Sequence, residues 1–236
     1  MTWIVVIMTT LSDSHHYEKF AQHDEKDYIL RRLVNNATTA FVTSQDGLYE
    51  RAFLAPGMCV ATFHHTTQVI GLEACHVKAS NGGVLLVMTL LDGNGNFFIA
   101  ALGIAESENS SSWEWFLAQV KTAFNIEDGH GLVFHSDREK GIDGGVRHVF
   151  PRANHSLCVY HLEKNPKKHH HTSLNGLVFK AAKAATPRQF DETINEMKAL
   201  HKAGGNYIEA IGKERWARAL SLLAVLGTLH LTFQSQ

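Results

Sequence analysis

Polar and apolar positions change rhythm near residue 69. Residues 69–78 (VIGLEACHVK) alternate as a strand does, and 84–91 (VLLVMTLL) form the unbroken apolar run of a strand buried on both faces. Residues 97–105 (FFIAALGIA) predict a third strand. Turn formers separate the three: Asn81-Gly82-Gly83, then the hairpin signal Asp92-Gly93-Asn94-Gly95-Asn96. The period then lengthens. Trp113, Phe116, Leu117, Val120 and Phe124 mark one helical face, behind Ser110, Ser111 and Ser112 as candidate N-caps. Residues 131–136 (GLVFHS) predict a fourth strand ending at Asp137. Residues 138–150 suit a helix, weakened by Gly144-Gly145 and stopped by Pro151, and 153–161 suit a fifth strand. Everything beyond reads as helix: 174–185, 188–202, 206–211 and 213–226, punctuated by Pro187 and Gly204-Gly205. Residues 1–68 are harder to parse, with loose helical spacing over 17–34 and a connection at 64–67.

Three strands joined by tight turns, then helix, strand, helix, strand, predict an α/β fold. The division expected is 1–68 of uncertain structure, a core at 69–165 and a helical region at 166–236. A chain of 236 residues, 44% hydrophobic and 19% charged, is globular; a disordered, collagen-like or disulfide-rich mini-protein is excluded. Lys and Arg number 22 against 23 Asp and Glu, so any nucleic-acid contact needs a local basic patch rather than a global field. Cys59, Cys75 and Cys158 are odd in number and widely spaced, which favours a reduced setting. The apolar start, MTWIVVIMTTL, lacks a basic flank and a cleavage site. The apolar run ALSLLAVLGTLHLTF falls short of the roughly 20 residues a membrane span needs, so no membrane association is expected.

Two carboxylates stand where metal-dependent phosphoryl chemistry would want them. Such sites gather Asp and Glu from separate strands around Mg²⁺ or Mn²⁺, because these hard cations take oxygen ligands. Glu73 lies mid-strand between Leu72 and Ala74, and Asp137 ends the fourth strand. An exposed strand position explains Glu73 as well as a ligand role does, and a helix N-cap explains Asp137.

A resemblance sharpens this reading. The stretches IGLEACHVK (70–78), GGVLLVMT (82–89), LDGNGN (91–96), GIAESEN with SWEWFL (103–117), SDREKGI (136–142), FPRANHSLCVYHLEKN (150–165), AAKAAT (181–186) and RWARA (215–219) follow one another in order. Together, from about residue 50 to 219, they resemble the transposase domain of Mutator-like elements (MULE). The resemblance implies a ribonuclease H-like mixed sheet followed by an all-helical insertion. It also implies cleavage and strand transfer of DNA by an Asp-Asp-Glu triad with Mg²⁺ or Mn²⁺. Glu73 takes the first position, where the family has Asp, and Asp137 takes the second. No Asn-x-x-Glu-Ser motif follows Arg215-Trp216-Ala217-Arg218, and no Asp or Glu follows Glu214. A truncated or degenerate copy with an incomplete triad and little or no activity is therefore the expectation. The alternative is a non-catalytic DNA- or protein-binding module. The partner implied is DNA at transposon ends, with homo-oligomerisation an option, in the nucleus.

Other constellations are weaker. Cys158-x-x-His161 matches a family motif, and with His155 nearby it reads as half of a zinc site or as a structural pair. Lys167-Lys168-His169-His170-His171 reads as a solvated segment before a DNA-facing patch. Asp92 is a turn former. Glu106 and Glu108 suit capping or helix-dipole support, and Trp113, Trp115, Phe116 and Trp216 suit packing.

Overall fold

The structure is a computed structural model that describes residues 37–43, 49–77, 82–170, 174 and 176–220. The predicted helical spacing over 17–34, the turn at Asn81, the side chains of 167–171 and the apolar run after Leu220 lie outside the described residues. The chain forms two compact units. One takes in the described residues up to Phe134 together with Lys140–Asn154; the other holds His135–Glu139 and the residues from His155 onward.

The first unit contains β1 (Thr38–Thr43), β2 (Tyr49–Ala55), α1 (Gly57–Thr62), β3 (Val69–His76), β4 (Val84–Leu91), β5 (Phe97–Ala105), α2 (Ser110–Ala123) and α3 (Lys140–Val149). β6 (Val133–Ser136) and β7 (Asn154–Leu157) start in this unit and end in the second. The second continues with α4 (Val159–His170), α5 (Leu177–Lys183), α6 (Pro187–Leu200), α7 (Lys202–Glu209) and a 3₁₀ turn at Lys213–Arg215. The sheet order is β1-β2-β5-β4-β3-β6-β7. Its first five strands pair antiparallel. In β6 and β7 the amide of Asn154 reaches the carbonyl of Leu132, and that of Cys158 reaches Ser136. The offset is constant (154 − 132 = 158 − 136 = 22), which is the signature of a parallel pair. This mixed α/β sheet is compatible with the expected ribonuclease H-like arrangement.

Several expectations need correction. β1 and β2 were not anticipated; they are short, and β1 has only half-buried and exposed positions, so its hydrophobic alternation is faint. The fifth strand ends at Leu157, and Val159 already opens α4. The segment expected as a helix from 213 begins instead with the 3₁₀ turn. The N-cap of α2 is Asn109, whose side-chain oxygen accepts from the Ser112 amide at 2.9 Å, not one of the three serines. Gly204 and Gly205 lie inside α7 rather than breaking it.

The core of the first unit is the layer between the sheet and α2 and α3. The predicted apolar face of α2, from Trp113 through Phe124, is buried there with Leu72, Leu86, Met88, Phe134, Ile142 and Phe150. Glycines set the spacing. A Cβ at Gly103 on β5 would come within 2.5 Å of the Phe116 ring, so the missing side chain is what seats that ring. On α3, Gly141 and Gly145 lie one turn apart against Trp113 and Leu117 of α2, and Cβ atoms there would come within 3.1 Å of those side chains. Gly144 faces open space. All three glycines weaken helix propensity, and Gly141 and Gly145 allow close helix packing in return.

Glu106, expected to support the helix dipole, instead holds Arg51. The Arg51 Nε and Nη2 donate to its two oxygens at 3.0 and 2.6 Å, and Nη1 donates to the Ser111 carbonyl at 3.1 Å. This fork ties β2 to the end of β5 and the start of α2. The Arg51 hydrogen bonds hold the Glu106 carboxyl below its usual range. A depressed folded-state value contributes stability above the unfolded carboxyl value (about 4.3) that is lost as pH falls through the folded one. Because Glu106 is largely solvated, the contribution expected is at most about 1 kcal/mol. Urea titrations at pH 7 and pH 3 should show Glu106→Gln costing stability at the higher pH and almost nothing at the lower. An equal cost at both would refute the ion pair as the source.

The second unit has its own core, with Leu157, Leu162, Val178, Phe190, Ile194, Met197, Ile208 and Trp216 buried together. The Phe190 and Trp216 rings lie 5.4 Å apart. Thr186 caps α6 by accepting from the Gln189 amide, and Pro187 occupies the first helical turn. His201 caps α7, its Nδ1 accepting from the Gly204 amide at 3.0 Å.

Candidate active site

Glu73 sits in the middle of β3 and pairs in register with Val87. Val69 to Leu72 are buried, and exposure begins at Glu73 itself. Its carboxylate makes no hydrogen bond or ion pair with the described residues, and the residue is exposed. Asp137 follows β6 directly and is half-buried. Its Oδ1 accepts from the Glu139 amide at 3.0 Å, forming a tight turn that leads into α3. It therefore shapes the residues before the helix instead of capping it. Its second oxygen has no hydrogen bond to the described residues. Glu73 belongs to the first unit and Asp137 to the second.

The neighbourhood of Asp137 is polar and mostly buried, which the sequence did not disclose. His135 Nδ1 and Ser156 Oγ are 2.8 Å apart, and Ser136 Oγ and His155 Nε2 are 2.8 Å apart. The Ser136 hydroxyl donates to the Asp137 carbonyl at 2.7 Å. From the 3₁₀ turn, Arg215 Nε donates to the His155 carbonyl at 3.1 Å, and its Nη2 lies 3.0 Å from His155 Nδ1. Arg138, beside Asp137, donates to the Tyr207 hydroxyl at 2.9 Å. The parallel register of β6 and β7 produces the Ser136–His155 pair, and no motif spacing within either strand announces it.

Cys158 is buried at the end of β7, and its carbonyl accepts the Leu162 amide, which places it at the cap of α4. His161 lies in the first turn of α4, edge-on to Tyr160 at 5.6 Å between ring centroids. Its Nδ1 is buried with no hydrogen-bond partner among the described residues. Among the described residues, no group of three or more His, Cys, Asp or Glu side chains could hold a metal ion. Glu73 and Asp137 each carry a carboxylate oxygen with no hydrogen bond to the described residues, the donor type Mg²⁺ and Mn²⁺ take. Each is a single donor of that kind, and no complete ligand set forms among the described residues.

Asp92 is a turn former, as its sequence context predicts. Its Oδ1 accepts from the amides of Asn94 and Asn96, each at 2.8 Å, and these bonds, that of Asn96 first, hold its carboxyl below the usual range. No helix among the described residues is long and apolar enough to cross a membrane.

Residues 69–165, from the start of β3 to the middle of α4, match the family model described as the MULE transposase domain. No curated protein matches the chain.

Proposed function

We propose, taking the MULE transposase domain at residues 69–165 as the premise, that this chain carries the ribonuclease H-like core of a Mutator-like DNA transposase with a helical insertion. Its ancestral chemistry is metal-dependent DNA cleavage and strand transfer. The observation that carries the reading is that two carboxylates, Glu73 and Asp137, fall inside the matched segment, at mid-strand and at a strand end. When bound, Mg²⁺ or Mn²⁺ would supply charge stabilisation and an activated oxygen nucleophile. Glu73 and Asp137 would be the residues to hold it, and Cys158 and His161 serve as a structural pair at the start of α4.

The site is impaired in this reading. Glu73 stands where the family has Asp, and the added methylene moves the carboxylate by about 1.5 Å, whereas catalytic geometry tolerates about 0.5 Å. The third carboxylate has no counterpart assigned. Strongly reduced nicking activity follows, on DNA that in the cell lies in the nucleus.

Calorimetric titration with Mn²⁺ tests this. The chain is expected to bind, Asp137→Ala to lose the binding, and Glu73→Asp to tighten it by shortening the side chain. Absence of binding by the parent chain, together with salt-dependent DNA binding that needs no metal and survives Asp137→Ala, would replace this reading with that of a non-catalytic binding module.

A further inference from the structure

We propose that Arg215 is a positioning residue for Asp137, acting through His155 and Ser136; its consequence for metal binding rests on the function proposed above. The direction of every hydrogen bond in this relay follows from elementary chemistry. A guanidinium has donors and no acceptor, so His155 Nδ1, 3.0 Å from Arg215 Nη2, accepts with its lone pair. An imidazole that accepts at Nδ1 is neutral and carries its proton on Nε2. That Nε2–H then donates to Ser136 Oγ at 2.8 Å. The hydroxyl, having accepted once, spends its own proton on the Asp137 carbonyl at 2.7 Å. No donor meets a donor anywhere along the line.

The relay is built into the sheet. Ser136 is 2% exposed, and its carbonyl accepts the Cys158 amide at 2.7 Å, so the strand is held on its backbone while the hydroxyl is aimed at residue 137. A second Arg215 bond, to the His155 carbonyl, fixes the guanidinium against β7 from the 3₁₀ turn. Asp137 is thus gripped twice. Its carbonyl takes the end of the relay, and its Oδ1 takes the Glu139 amide. Those two bonds orient the remaining carboxylate oxygen. Groups that orient a metal-binding carboxylate from behind typically alter metal affinity by about 10–100-fold when removed.

The test uses the full chain labelled with ¹⁵N and ¹³C, and Mn²⁺ alone as the titrant. At neutral pH the His155 ring is expected to show a proton on Nε2 and none on Nδ1. Arg215→Met removes the donors and should shift the Asp137 carbonyl resonance and weaken Mn²⁺ binding about tenfold. Arg215→Lys keeps a donor and should restore most of both. Should Arg215→Met fail to fold, Ser136→Ala breaks the same line and is expected to act in the same direction. A proton on His155 Nδ1 in the parent chain would overturn the proposal. So would an Asp137 carbonyl resonance unmoved in a folded Arg215→Met or Ser136→Ala chain. Failure of the parent to bind Mn²⁺ would count against the proposed function alone; the ring tautomer and the carbonyl resonance would still decide the relay.

Discussion

Trp113→Ala is expected to lower stability by about 3–5 kcal/mol, the range for deleting a large buried aromatic. Trp113 is fully buried in the first unit. Its ring meets Phe116 edge-on at 5.9 Å, and Phe116 in turn leans on Phe53 at 5.7 Å. The loss should sit at the upper end of the range because the walls cannot follow. One wall is the glycine face of α3, which has no side chains to swing inward, and the others are rings already seated against one another. The indole Nε1 also donates to Glu108 at 3.4 Å, a long bond whose loss adds little. Urea unfolding followed by circular dichroism should show a lower midpoint with an unchanged slope, and Trp113→Phe should recover more than half of the difference. A loss under about 1 kcal/mol would mean that the pocket collapses, contrary to this account.

Gly205→Ala should destabilise the second unit, although alanine is ordinarily the better helix former by about 1 kcal/mol. A Cβ at Gly205 would lie 2.7 Å from the Lys198 amide nitrogen and 2.8 Å from its Cα. Those atoms are the backbone of α6, which cannot rotate aside as a side chain would. Overpacking of this kind costs about 1–3 kcal/mol or more, so the sign of the substitution reverses. Gly144→Ala in α3 is the matched control, since nothing lies within 4 Å of its Cβ and propensity alone should decide. Thermal unfolding of the two variants should move in opposite directions. Movement in the same direction would show that the α6–α7 contact yields.

The central hairpins were plainly legible in the sequence. β4 and β5 occupy the residues their apolar runs marked, because strong turn formers stand before β4 and between the two. The buried face of α2 followed from its period. Boundaries failed where one pattern admits two structures. Val159 and Tyr160 extend the apolar run begun by Leu157 and Cys158 but open a helix, since so short an apolar run fits either period. Gly204-Gly205 reads as a break when only propensity is considered, and proves helical because packing against α6 outweighs it. β2 pairs with β5, some fifty residues away, and no local signal carries such a partnership. The candidate site divides in the same way. Glu73 and Asp137 were visible as acidic residues at strand positions, helped by the resemblance. The Arg215–His155–Ser136 line was not, because its members lie 60 and 19 residues apart and meet through register and tertiary folding.

The glycine seams have a consequence for how the protein can vary. Where α3 meets α2 at Gly141 and Gly145, and α7 meets α6 at Gly205, one partner offers only main chain. Main chain has no rotamers. Ordering such a seam freezes no side chain on that face, and the entropic cost falls instead on the glycines themselves, which are the most mobile residues of the unfolded chain. The same absence removes plasticity. An ordinary core can absorb a changed volume by shuffling neighbouring rotamers, but these seams have none to shuffle on one side. Sequence drift in this fold should therefore be permissive along the broad Leu, Ile and Val faces and nearly frozen at three glycines.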